Sequence, residues 1–308
     1  MIKCKSNTKA VFIALYVSLI CYLNQPANAK TAEYQSFSVA VTESSASPNT
    51  IAAPVILIPG LMSDGSVWQS TVDELRKNHQ VHVVHISGFA GKPAIAGPLL
   101  PVVQSELLNY IREQKLNKPV VIGHSLGGYM AFALATSAPD LIGPIVAVDG
   151  SPYLAPVFTR DAKTQVSDMQ QQAAQIKLMY QQFSAEQFRS TIAQGLFIQA
   201  SAGKNADQVL AMSVASDRSA VGQAMFELLT SDLRPELAKL RQPVLLLGAG
   251  GALPAESMRP AVTSLYQQQL AAAPQATLEF NWQSRHFIML DEPQWMFNKI
   301  NKFLQGAR

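Results

Sequence analysis

Residues 120–132 read Val-Val-Ile-Gly-His-Ser-Leu-Gly-Gly-Tyr-Met-Ala-Phe. Within them, Gly123-His124-Ser125-Leu126-Gly127 places one serine in a G-x-S-x-G arrangement. An apolar run ends at Gly123 and a helical pattern begins at Leu126, the strand–turn–helix setting of a nucleophile elbow. The chemistry explains the glycines. Ser125 must sit on a tight, strained turn so that its hydroxyl projects clear of a sheet. Side chains at 123 and 127 would collide where strand and helix pack closely. The reaction such a serine performs is attack on a carbonyl carbon.

A serine hydroxyl is a poor nucleophile until a base takes its proton. The chain has five histidines. His79, His82 and His85 lie around an early strand and precede the serine, and His124 is inside the elbow, pointing away from Ser125. His286, in Gln283-Ser284-Arg285-His286-Phe287, follows the last strand and precedes the last helix, and is the candidate base. His82 and His85 do not suggest a metal site. Three apart on a strand, they face opposite sides, and no carboxylate cluster accompanies them. No metal and no organic cofactor is expected.

These residues need a scaffold, and the apolar pattern supplies one. Residues 54–58, 81–86, 119–122 and 145–148 are short apolar runs that fit buried strands. Helical patterns at 68–77, 99–114 and 129–137 alternate with them, and an edge strand is expected near 36–41. From about 156 to 230 the alternation stops. Amphipathic helices are expected at 169–179, 185–194 and 219–229. Alternation resumes with strands at 244–247 and 277–280 and helices at 257–271 and 293–304. Strands alternating with helices imply a mostly parallel sheet covered on both faces.

Bulk properties narrow the class. Lys3, Lys5 and Lys9 precede an apolar stretch at 10–23, and Ala27-Asn28-Ala29 is a small-x-small cleavage site. A signal peptide over 1–29 is expected, with Lys30 as the mature N-terminus and a periplasmic or secreted destination. Both cysteines, Cys4 and Cys21, fall inside it, so the mature chain has no disulfide and no thiolate chemistry. The formal charge of +3 falls to zero once those three lysines leave. Nothing points to a nucleic-acid partner, or to membrane insertion after signal cleavage.

On the elbow, the serine-before-histidine order and the position of His286, the chain resembles the α/β-hydrolase superfamily over residues 50–150 and 230–308. That resemblance implies a core of residues 30–150 and 231–308, with residues 151–230 as a helical cap above the elbow. It places the base in the loop that holds His286. It implies an oxyanion hole made by the backbone N–H of Leu126 and of Leu61, with Met62 as second choice for the latter. The family's His-Gly-x turn reads Pro59-Gly60-Leu61 here, which need not matter to a main-chain donor. The acid that orients the base usually follows the strand at 244–247, but residues 248–254 hold no carboxylate. Asp149, at the end of the preceding strand, is the first substitute; Asp232 and Glu256 are the alternates. Met62, Tyr153 and Phe287 are expected in the substrate pocket.

The function so implied is a serine hydrolase acting on a carboxylic ester or related acyl compound. A lactonase, an acyltransferase and a carbon–carbon hydrolase use the same residues, as does a perhydrolase. A non-catalytic binder on the same fold is the alternative from another class.

Overall fold

The computed structural model describes residues 30–307. The expected signal peptide and both cysteines lie outside the described residues. Eight strands form one sheet: β1 (Lys30–Glu33), β2 (Phe37–Thr42), β3 (Ala52–Ile58), β4 (His79–Ile86), β5 (Val120–His124), β6 (Ile145–Val148), β7 (Val244–Ala249) and β8 (Ala276–Asn281). Their order is β1-β2-β4-β3-β5-β6-β7-β8. The first two strands pair antiparallel; β4 onwards is parallel. The segment before residue 50, expected to hold one edge strand, forms two. β1 folds back on β2 and pairs Lys30 with Val41. Its polar Lys-Thr-Ala-Glu sequence carries no apolar alternation, so no pattern marks it.

The strand residues alternate between two cores, as a period of two requires. Val55, Leu57, Val120, Ile122, Val146 and Val148 face one core. There they meet α1 (Gln69–Leu75), α10 (Ile288–Asp291) and α11 (Pro293–Gly306). Ile56, Ile58, Val121, Ile145 and Ala147 face the other. That face is covered by α2 (Leu100–Glu113), α3 (Leu126–Ser137) and α9 (Arg259–Gln269). Helix α3 is apolar all round, and every residue from Leu126 to Thr136 is buried, as expected of a helix clamped between sheet and neighbours.

Between β6 and β7 the chain forms α4 (Ala155–Thr159), α5 (Val166–Gln182), α6 (Ala185–Gln199), α7 (Lys204–Val214) and α8 (Arg218–Thr230). The three expected helices are there, and α4 and α7 are additional. Glu227 of α8 ties this segment to the core. Its carboxylate accepts the N–H groups of Leu99 and Leu100, at 2.9 and 2.7 Å, at the start of α2, where a helix presents unpaired donors and positive potential. No helix among the described residues is long and apolar enough to cross a membrane.

Candidate active site

The chain leaves β3 toward β4 on one side and enters β5 on the other, so the gap above β3 and β5 is a topological switch point. Crevices of this kind, at the carboxyl ends of parallel strands, are where open α/β sheets bind ligands. Ile58 pairs with Gly123, which brings the Pro59–Met62 turn over Ser125. Gly123 pairs with Ala147 and His124 with Val148. Asp149 therefore follows β6 beside Ser125.

The elbow is strained as its sequence requires. Ser125 has φ 52° and ψ −113°, a backbone conformation that costs an L-residue on the order of 1–3 kcal/mol. Both flanking glycines are forced by contact. A Cβ on Gly123 would lie 1.9 Å from the Gly127 oxygen, and one on Gly127 would lie 2.2 Å from the Ile58 oxygen. The Ser125 N–H donates to Val148 O at 2.9 Å, which locks the turn to β6.

Of the three candidate acids, the structure brings one to the histidine. His286 Nδ1 lies 2.6 Å from Asp149 Oδ2. The other carboxylate oxygen accepts the Ala249 N–H at 3.0 Å and the Tyr266 hydroxyl at 3.2 Å. Tyr266 keeps its proton for that bond, because burial first and the Asp149 charge second push its pKa well above 10.0. Asp149 itself has φ 45°, and its N–H donates to Leu247 O at 2.6 Å. Asp232 is committed elsewhere. It receives Nε and Nη2 of Arg234, the latter at 2.6 Å. Glu256 is an exposed partner of Arg259. The carboxylate that meets His286 thus comes from the end of β6, and the end of β7 contributes the Ala249 N–H that it accepts.

His124 does not simply point away from the site. Its ring lies 4.5 Å from that of His286, and its Nε2–H donates to the His286 carbonyl at 3.1 Å. Burial first, then the neighbouring His286, holds its pKa well below 6.5, so the ring is neutral. Sequence reasoning missed this contact, as it missed Tyr266. Only the G-x-S-x-G position of His124, which guarantees proximity to Ser125, was available as a signal.

Ser125, His286, Asp149, His124 and Tyr266 all line one cavity of about 470 Å³. Met62 and Phe287, two of the three residues expected in the pocket, also line it, and so do Leu61 and Leu126. Met62 has φ 58°, and Ser63 N–H closes the turn onto Gly60 O at 3.3 Å. Tyr153 corrects the pocket assignment. It is fully buried in a separate cluster with Met169 and Leu229, its hydroxyl donates to Leu229 O at 3.1 Å, and the Arg234 guanidinium lies over its ring. Its neighbour Leu154 is the one that reaches the cavity.

The loop that carries His286 is also held from outside the core. His286 N–H donates to Ile198 O at 3.2 Å and Phe287 N–H to Gln199 O at 2.9 Å, both at the end of α6. Asp291 accepts the N–H groups of Arg285 and Ser201 and the amide of Asn205. Away from the cavity, His82 bonds Tyr110 and Gln80 on one side of β4, and His85 accepts the Gly65 N–H on the other. No cluster of metal-ligating side chains occurs among the described residues.

An eight-stranded, mostly parallel sheet with a strained serine after β5 and a carboxylate–histidine pair beside it defines a class, and the family model agrees. Residues 55–299 match the alpha/beta hydrolase family, to which this chain belongs. Among curated relatives, a pimeloyl-[acyl-carrier protein] methyl ester esterase from Aliivibrio salmonicida is 28% identical, over 62% of this chain and 70% of its own length. One of the same name from Aeromonas salmonicida is 28% identical over 82% of this chain and 95% of its own. Among solved structures, a hydrolase from Pseudomonas aeruginosa superposes with a TM-score of 0.71 at 19% identity, covering 91% of this chain and 99% of the other.

Proposed function

We propose that this chain is an exported serine esterase. Ser125 attacks the ester carbonyl while His286 takes its proton. Asp149 holds the imidazole with Nδ1 protonated, so that Nε2 is free to act as base, and stabilises the imidazolium that forms. The N–H groups of Leu61 and Leu126 hold the oxyanion. His286 then protonates the leaving alcohol, and water, deprotonated by His286 in turn, releases the acid. The single observation that carries this reading is the 2.6 Å Asp149–His286 bond beside a strained Ser125. A protein that merely bound ligands would have no evident use for a half-buried carboxylate held on that ring. The esterase names shared by the relatives support an ester as substrate. The helical segment at 151–230 serves as a cap over the site, and residues 1–29 as a cleaved signal.

A fluorophosphonate probe should label the folded protein and spare Ser125→Ala, and p-nitrophenyl butyrate should be hydrolysed only by the former. An unlabelled, inactive folded wild type sinks the reading. Adding an alcohol acceptor separates hydrolysis from acyl transfer by product analysis. For export, the first residue of protein recovered from cells should be Lys30; a chain that retains residues 1–29 refutes cleavage.

A further inference from the structure

The cavity is apolar on most sides, with Leu154, Val157, Met225 and Leu228 among its lining. Two of its lining residues, Phe158 and Ile198, are also large apolar side chains left 47% and 46% exposed. Isolated exposed apolar residues need no explanation. These two differ because they carry the cavity's own wall out to solvent. Ile198 has a second role: its carbonyl accepts the His286 N–H.

Resting on the esterase reading above, we propose that the rim at Phe158 and Ile198 is a subsite for an unbranched hydrocarbon chain of the substrate ester. We propose further that chain occupancy there speeds the chemical step. A chain packed on Ile198 restrains the peptide that holds the base's N–H. Binding energy from a remote, non-reacting part of the substrate is then used to position the reacting groups, which shows in kcat and not only in KM. The substrate class is a medium-chain ester rather than an acetate. Each methylene removed from water should raise kcat/KM about fourfold until the chain passes the rim.

The test compares p-nitrophenyl acetate, butyrate and octanoate, and in a second arm ethyl and octyl acetate, on wild type, Phe158→Ser, Ile198→Ser and Ile198→Leu. The first arm places the chain on the acyl side and the second on the alcohol side; a gain in either supports the subsite and names its source. Wild type should favour octyl over short chains in one arm. Phe158→Ser and Ile198→Ser should cut that preference by about tenfold or more, equivalent to roughly two methylenes, while Ile198→Leu keeps it. Part of the wild-type preference should lie in kcat. A preference unchanged in both serine variants overturns the subsite, and a gain confined to KM overturns its coupling to the base. If no ester is hydrolysed, the esterase reading has failed, and the subsite is judged by calorimetry on Ser125→Ala. Octanoate should then bind at least tenfold tighter than butyrate, with the difference lost on adding Ile198→Ser. Equal affinities refute the subsite independently of catalysis.

Discussion

Asp149→Asn is the sharpest test of the proposed mechanism, because the structure dictates which way the new amide must turn. One carboxylate oxygen of Asp149 accepts two donors, the Ala249 N–H and the Tyr266 hydroxyl. An asparagine must keep its oxygen there, since an NH₂ facing the fixed Ala249 N–H would set donor against donor inside the protein. Its NH₂ therefore faces His286 Nδ1, which must accept and so lose its proton. The proton moves to Nε2, and the imidazole can no longer act as base toward Ser125. The side-chain volume hardly changes, so the fold is preserved. In serine triads this tautomer error lowers kcat by about 10⁴, or about 5.4 kcal/mol in barrier height. The assay is kcat on p-nitrophenyl butyrate, with thermal unfolding run in parallel. Rate and probe labelling should fall together while the melting temperature stays near wild type. A folded Asp149→Asn with kcat within tenfold of wild type refutes the assignment of the acid.

Three other outcomes follow from the same contacts. His124→Gln keeps an N–H donor for the His286 carbonyl and His124→Leu does not. The leucine variant should lose about tenfold or more in kcat with KM little changed, by the size of one lost hydrogen bond; equal kcat values in the two variants count against a positioning role. Glu227→Ala orphans two buried N–H groups at the start of α2 and should cost about 3 kcal/mol in urea unfolding, with Glu227→Gln costing less; a loss below about 1 kcal/mol for the alanine contradicts the cap. Finally, burial pushes His82 from 6.5 down to about 4, against a smaller opposing pull from Glu43. The unfolded chain takes up that proton near 6.5 and the native chain only near 4. This contribution to stability is therefore fully present above pH 6.5 and is lost as pH falls toward 4, at up to about 1.4 kcal/mol per unit. Melting temperature should drop over that range, less so in His82→Asn; identical slopes in the two proteins disprove the assignment.

The legible parts of this chain were those governed by strong local rules. The elbow was legible because its glycines have no alternative: Gly123 and Gly127 each face a backbone oxygen within van der Waals contact. The central strands were legible because two cores demand continuous apolar runs. β1 was not, because a polar edge strand is specified by its partner β2 and not by its own residues. The acid could be ranked but not fixed, since Asp149, Asp232 and Glu256 differ in what they meet rather than in what they are. Only register, His124 against Val148, puts Asp149 beside Ser125. Tyr266 carried no signal at all. It sits in a glutamine-rich helix whose sequence says nothing of the carboxylate it reaches.

Ser125 and Asp149 each follow directly on a strand of one ladder, the first on β5 and the second on β6, and both are pinned by main-chain bonds to the next strand, Val148 O and Leu247 O. Shifting either one would stretch ladder hydrogen bonds on both neighbouring strands. His286 sits instead on a loop, held at its carbonyl by His124 and at its N–H by Ile198. In the proposed mechanism the base is thus the one member of the three not seated at the end of a strand. Substitutions far from the cavity have one direct route to the rate in the seating of residues 281–291, through the bonds that hold His286. That segment, more than the serine's neighbourhood, is where a search for faster or slower variants should concentrate.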